Sequence, residues 1–454
     1  MRNQRNKRVR ITDKIDRFSE LPDSILSHIL SFLCTKTAIR TSVLSKRWRL
    51  VWASLPNLDF QYGPGKPQHS SHSFTAFVNH VLTLRDNSQI NTFRFSAHLD
   101  VDPNLVEECI SYAVCHNVQE LKIRAFCSRR PVEIAPEFLT CQSLRVLKLT
   151  CASSMSLVLP KTLGLPNLRT LHLKHFMFSE KNFNGEIFSS CLSLETLVLC
   201  KCMIKPRDKL MILNISALQL KNLEILYWRC PWLYNYEQAI FVATPKLTSI
   251  RIEGHISPVC FKEELTCLNR VYIDLCCPSS CATIDLKDRK RKTAENLMSM
   301  LGDLSHVRSL TLSLKTIEIF SSIPNLRERE FYTLRNLTFL RFKTEHKCTE
   351  ITIPINIMVY LLKSSGSAKT LVVDLPKILS TTPHLKEQKL STLGDLKHIK
   401  LKAGRKGMNV TIPVNVMTYL LGSSPCVENL VVEFPEVVSC TFFKKKLVLK
   451  QNLK

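Results

Sequence analysis

The chain has 454 residues, 45% hydrophobic and 8% aromatic, the composition of a folded protein too long for one ordinary core. Lys plus Arg number 63 against 38 for Asp plus Glu, a net charge of +25 that favours acidic partners and says nothing of fold. No apolar run approaches the roughly 18 residues of a membrane span, and the basic start has no apolar core behind it, so it is no secretory signal. The 18 cysteines are therefore read as free thiols in a reducing compartment, nucleus or cytoplasm.

Residues 1–15 are a basic, disordered tail containing "RNQRNKRVR". A short run of basic residues is a solvated segment by default, and a nucleic-acid reader would interleave aromatics, which this run lacks. Residues 16–60 read as three short helices. Pro22 suits a first helical turn, and Ile25, Leu26, Ile29, Leu30 and Leu33 follow at helical spacing as one apolar stripe. Thr35 and Ser45 are candidate caps of the second and third helices. About forty residues cannot bury that much apolar surface alone, so part of the stripe must meet a partner or a neighbouring domain. Residues 61–73, with "GPGKPQHSSHS", are a linker. A helix over 74–89, with Phe74, Phe77, Val78, Val81 and Leu82 on one face, caps the long segment beyond it.

From residue 90 to 435 one frame recurs, apolar-x-x-apolar-x-apolar. It begins at Ile90, Val118, Leu144, Leu168, Leu194, Leu210, Leu223, Leu247, Leu268, Val307, Leu337, Ala368, Leu396 and Val427, mostly 21 to 31 residues apart. The last two apolar positions share one face of a short strand. One strand and its return segment cannot bury that face, so neighbours must stack. The fold class is therefore α/β: a three-helix unit, then a leucine-rich-repeat solenoid. Its curved parallel sheet lines the concave side, with helices and irregular segments on the convex side. Between Leu268 and Val307, "CCPSSCATIDLKDRKRK" reads as a surface loop before a helix near Ala294–Leu301. Residues 334–376 align on 393–435 without a gap, with 18 of 43 positions identical, so two turns of the solenoid are duplicated as a unit. The segment "PINIMVYLL" reads as its helix, with Ile357, Met358, Leu361 and Leu362 inward. Residues 436–454 are a basic tail.

The first sixty residues also carry a resemblance. "LP" at Leu21, then "ILSFL", "TSVLSKRWR" and "W-x-x-LPNLDF" resemble the F-box of plant F-box proteins with leucine-rich repeats, and the repeats resemble theirs too. The resemblance implies docking of a Skp-family adaptor through Leu21, Pro22, Ile25, Ile29, Leu44 and Trp48. It also implies, through that adaptor, a cullin and a RING protein. The chain would then be a non-catalytic substrate receptor of a ubiquitin ligase. Two readings without ligase assembly stand beside it: a repeat scaffold or nucleic-acid-associated protein, and a small-molecule sensor.

Tempting chemistry is thin. Cys200, Cys202, Cys276, Cys277 and Cys281 lack a second pair at zinc spacing, and Cys202 and Cys276 fall at the Asn/Cys position of the repeat. No phosphate-cradling glycine loop or nucleophile elbow occurs. No cofactor is expected, and nothing in the residues supports an inositol phosphate. Alternation instead places Lys122, Arg124, Lys148, Lys174, Tyr227, Arg229, Arg251, Arg270 and Tyr272 on the concave face, with His172 among them. An acidic or phosphorylated protein segment is the expected occupant.

Overall fold

The computed structural model describes residues 21–63, 71–134, 136–151, 157–158, 163–178, 188–205, 212–228, 239–255, 258–277, 286–323, 334–343, 355–365, 368–374, 396–402, 426–433, 438–443 and 446–451. The tail 1–15, most of the linker and the second copy of the duplicated helix lie outside them.

One sheet of sixteen strands runs through the chain in sequence order. Each strand rests on the alternation read above. In Thr170–Lys174 and Thr196–Cys200, for example, Leu171, Leu173, Leu197 and Leu199 are fully buried, while the residues between them reach the open face. Neighbouring repeats stay in register, Leu171 opposite Leu147 and Leu197, so the buried leucines form continuous rows. Covering the inner face are helices Pro103–Cys115, Leu286–Gly302, Leu314–Phe320 and Ile355–Ser364, and short strands. Ile357, Leu361 and Leu362 point into this core as expected, joined by Tyr360; the Met358 side chain lies outside the described residues.

Several expectations are corrected. The sheet starts at Asn57–Tyr62, inside the segment assigned to the helical unit and linker, and that strand pairs with Thr92–Asp100. The frame at Leu210 belongs to a separate sheet of Ile212–Ser216, Ala239–Ala243 and Val259–Phe261. The frame assigned to Leu223 is displaced by three: Leu220, Leu223 and Ile225 are the buried set, with Leu223 beside Leu197 and Ile225 beside Leu199. Lys287–Lys292 is no loop but the start of the long helix Leu286–Gly302, since its Lys, Arg, Ala and Leu favour helix and no breaker intervenes before Gly302. At the chain's end, Val438–Phe443 and Lys446–Gln451 continue the sheet as an antiparallel hairpin where a tail was expected.

A left-handed turn that the sequence pattern does not announce closes several strands. His175, Lys201, Tyr227 and Gly254 occupy the position after the aligned residues Lys174, Cys200, Leu226 and Glu253, and all four have positive φ. The turn lets each amide N–H reach sideways: His175 donates to the Cys200 carbonyl at 2.8 Å and Lys201 to that of Leu226 at 2.7 Å. It also drops the next residue into the core, so Phe176, Cys202 and Trp228 are buried in successive repeats. The Cys202 thiol there donates to the Leu173 carbonyl at 3.3 Å, as its repeat position predicts.

Gly254 is the one member of this column that cannot gain a side chain. Its φ is +89°, and a Cβ there would stand 2.7 Å from the Tyr227 Cα. Gly254→Ala is expected to destabilise the repeats by about 1–3 kcal/mol, because neither backbone can give way. Lys201→Gly, at an open left-handed position, is expected to change stability by less than about 1 kcal/mol. Thermal melting of both variants checks this. Equal melting temperatures for wild type and Gly254→Ala would mean the turn can rearrange.

Candidate functional site

Two surfaces stand out. The first is on the helices Asp23–Ser31, Thr35–Arg40 and Trp48–Val51. The expected stripe divides into two faces. Leu26 and Leu30 are fully buried with Ala38, Val51, Trp52 and Leu55, whereas Ile25, Ile29 and Leu33 look outward. Phe32 and Val43 extend that outer patch, 76% and 87% exposed, and Leu44 joins it. Neither Phe32 nor Val43 was expected there. Phe32 has one signal, its place between the buried Leu30 and Thr35, and Val43, at the end of the turn Thr41–Val43, has none.

Of the adaptor-facing residues expected from the resemblance, Pro22, Ile25, Ile29 and Leu44 are exposed and Leu21 is half-buried. Trp48 is a correction. It is 7% exposed and packs in the core with Trp52, so its ring is not offered to a partner. Arg47 beside it ties the unit together, its Nε donating to Asp23 at 2.7 Å and a guanidinium N–H to the Leu21 carbonyl. Thr35 is no cap either. Its hydroxyl accepts the Asp59 amide N–H at 2.7 Å and fastens the second helix to the first strand of the sheet. Arg85, buried below the helix Ser71–Leu84, donates to the carbonyls of Leu55 and Ser88 at 3.0 and 2.7 Å. The helical unit is thus fixed to the start of the sheet.

The second surface is the open face of the sheet. Register brings the middle positions of successive strands side by side: Asp59, Arg94, Lys122, Lys148, His172, Val198, Glu224, Arg251 and Tyr272. The next row reads Arg124, Thr150, Lys174, Cys200, Leu226, Glu253 and Asp274. Lys122, Arg124, Lys148, Lys174, Arg251, Arg270 and Tyr272 stand where alternation puts them. Tyr227 does not, because of the displaced frame. Tyr227 is the exposed left-handed residue after its strand, Arg229 lies outside the described residues, and Glu224 holds the open-face position instead.

The charge is uneven. Arg94 pairs with Asp59 at 3.4 Å, Lys122 with Glu120 at 2.7 Å and Arg341 with Asp374 at 2.8 Å. Arg251 pairs with the buried Glu253, and its guanidinium lies 4.7 Å from the centre of the Tyr272 ring. Arg251 is thus neutralised on the central strands, and the basic excess on the strands from Glu120 to Lys174 is that of Arg124, Lys148 and Lys174. His172 lies in that excess, and its pKa is lowered by burial first and by Lys148 and Lys174 next.

Nothing among the described residues assembles three or more His, Cys, Asp or Glu side chains as a metal site. Burial holds the thiols protonated: Cys127 and Cys191 are pushed up to about 11 and Cys151 to about 12. They fill the core.

The helical unit matches the F-box domain model over residues 18–60, and residues 106–267 match the repeats of the FBD-associated F-box protein At5g56370. The chain belongs to the plant F-box/leucine-rich-repeat family. It is 32% identical to the F-box/LRR-repeat protein At3g59200 of Arabidopsis thaliana over 67% of its own length, and spans 60% of that relative. With the putative F-box/FBD/LRR-repeat protein At1g66290 of the same plant it shares 24% identity over 92% of this chain and 87% of the relative. The F-box/LRR-repeat protein At3g59190, also from Arabidopsis, is 26% identical over 80% and 93% of the two chains. The match to the repeats thus covers the unpaired basic strands, and the F-box match covers the exposed apolar patch. No helix among the described residues is long and apolar enough to cross a membrane.

Proposed function

We propose that this F-box/leucine-rich-repeat chain is a non-catalytic substrate receptor of a cullin–RING ubiquitin ligase, acting in the nucleus or cytoplasm. The F-box docks a Skp-family adaptor, and the open face of the repeats holds the target. The observation that carries the reading is the two-sided F-box helix. Leu26 and Leu30 already supply the unit's core, so Ile25, Ile29, Phe32, Val43 and Leu44 leave apolar surface that the described residues do not cover. Patches of this kind mark protein interfaces. Ubiquitin transfer then needs no catalytic group in this chain, which supplies proximity. The target is an acidic or phosphorylated segment, drawn by the basic strands with an affinity that falls as salt rises.

The alternative of nucleic-acid binding gains no support from the basic helix Leu286–Gly302. There Lys290 is paired with Glu318 at 2.8 Å and Arg291 with Asp288 at 3.5 Å, and Arg289 is buried. The test is reconstitution. Mixed with a Skp-family adaptor and a cullin–RING pair, the full chain is expected to comigrate with them as one complex on gel filtration. Separate elution of a folded chain from an assembled adaptor–cullin–RING complex would refute the reading.

A further inference from the structure

On the open face, four arginines and lysines are neutralised by a carboxylate: Arg94, Lys122, Arg251 and Arg341. Arg124, Lys148 and Lys174 make no ion pair among the described residues, and they are neighbours. Register sets Arg124, Thr150 and Lys174 side by side in one row, and Lys148 beside His172 in the adjacent row. Adjacent strands are about 4.8 Å apart, so Arg124 and Lys174 flank the Thr150 hydroxyl across about 10 Å. Arg270 also makes no ion pair among the described residues, but it stands at the first position of its strand, away from these three.

His172 adds an independent sign. Its Nε2 is buried and has no hydrogen-bond partner among the described residues. A buried polar atom without a partner is costly, and it is commonly satisfied by a bound group. The groups facing the imidazole are Thr170 and Lys174 on its own strand, Val146, Lys148 and Thr150 on one flanking strand, and Thr196, Val198 and Cys200 on the other. None is a carboxylate. Burial, and then the two lysines, lower the pKa of the ring, and an anion between them would raise it.

The geometry points to a binding site for one phosphate monoester, formed by Arg124, Lys148, Thr150, His172 and Lys174 and occupied by a phosphorylated side chain of the target. This rests on the open face being the receptor surface. A phosphate dianion offers three acceptor oxygens, enough to engage a guanidinium, two ammonium groups and a hydroxyl together. A carboxylate offers two and half the charge. A nucleic-acid strand needs a continuous basic track, and this one is interrupted by Val198 and Glu224 on the next two strands. Binding draws a proton onto His172, so affinity rises as pH falls from 8 towards about 7, a window in which a phosphate monoester with a second pKa of about 6 stays mainly dianionic.

The test uses the full chain and a fluorescent Gly/Ser peptide carrying one phosphoserine, with Ser and Glu versions of the same peptide. Inorganic phosphate, inositol hexakisphosphate and a uridine decamer serve as competitors. The phosphopeptide is expected to bind at least about tenfold more tightly than the Glu peptide, since charge-assisted bonds to the dianion are lost with the carboxylate. Inorganic phosphate should compete. Lys148→Ala/Lys174→Ala should weaken binding by a further tenfold or more. Lys221→Ala, the loss of one charge at a lysine paired with Glu195, should change it less than twofold. His172→Gln should flatten the pH dependence while the melting temperature holds. Equal affinity for phosphoserine and glutamate peptides, equal loss in Lys221→Ala, or stronger competition by the uridine decamer than by phosphate would each overturn the site. So would inositol hexakisphosphate binding at these residues with no binding of the phosphopeptide. Failure of the receptor reading looks different: target capture would be indifferent to open-face substitutions while the phosphopeptide still bound and still depended on Lys148 and Lys174.

Discussion

Trp228→Ala is expected to lower stability by about 3–5 kcal/mol, more than any other single truncation in the repeats. Trp228 is fully buried and stacks on Phe178, ring centres 6.1 Å apart and planes at 16°. Phe178 in turn meets Phe176 at 5.0 Å and Phe188 at 6.4 Å, so one indole supports the aromatic filling of adjoining repeats. Truncation would leave a cavity that close-packed neighbours cannot collapse into. The control is Trp228→Phe. The indole N–H is buried and has no hydrogen-bond partner among the described residues, so replacing it with a phenyl ring removes an unsatisfied donor along with some volume. That variant is expected to lose less than half as much. Chemical denaturation measures both. An Ala variant as stable as the Phe variant would show that the aromatic stack carries little.

The same residue shows why the repeats are easier to count than to place. Both Leu220/Leu223/Ile225 and Leu223/Leu226/Trp228 satisfy the apolar frame, and the pattern alone does not choose between them. Spacing could have chosen. Leu220 lies 26 residues after Leu194 and 27 before Leu247, in step with its neighbours, whereas Leu223 gives 29 and 24. Trp228 is apolar because the left-handed turn after the strand buries it, not because the strand does. Left-handed Lys201 and Tyr227 are not residues that announce a positive φ and His175 is only enriched there, so Gly254 alone marks this turn plainly in the sequence. The open face shows the same limit. Alternation placed Lys148 and Lys174 correctly, but which cations are neutralised depends on the pairing of distant strands, such as Arg94 with Asp59 and Arg341 with Asp374. The pairs Arg251–Glu253 and Lys122–Glu120 differ, since their members stand two residues apart on one strand, where alternation does bring them together.

The F-box offers the sharpest separation of stability from docking. Ile25→Asp/Ile29→Asp should abolish adaptor capture, an affinity loss on the order of a hundredfold or more, with little change in melting temperature. Both side chains already face solvent, so a charge there costs the free chain little. In a dry interface each would bury an unpaired carboxylate, and truncation of a large interface anchor alone costs about 2 kcal/mol or more. Phe32→Ala and Val43→Ala should weaken capture in the same way and to a smaller degree. Trp48→Ala should behave oppositely. The ring packs with Trp52 and the core of the helical unit, so its loss lowers the melting temperature by removing buried volume. Capture should then fall only as far as the helical unit unfolds, and recover on cooling. Binding curves and melting curves of these variants decide between the faces. A stable Trp48→Ala chain that no longer binds, beside an Ile25→Asp/Ile29→Asp chain that still does, would place the adaptor on the other side of these helices.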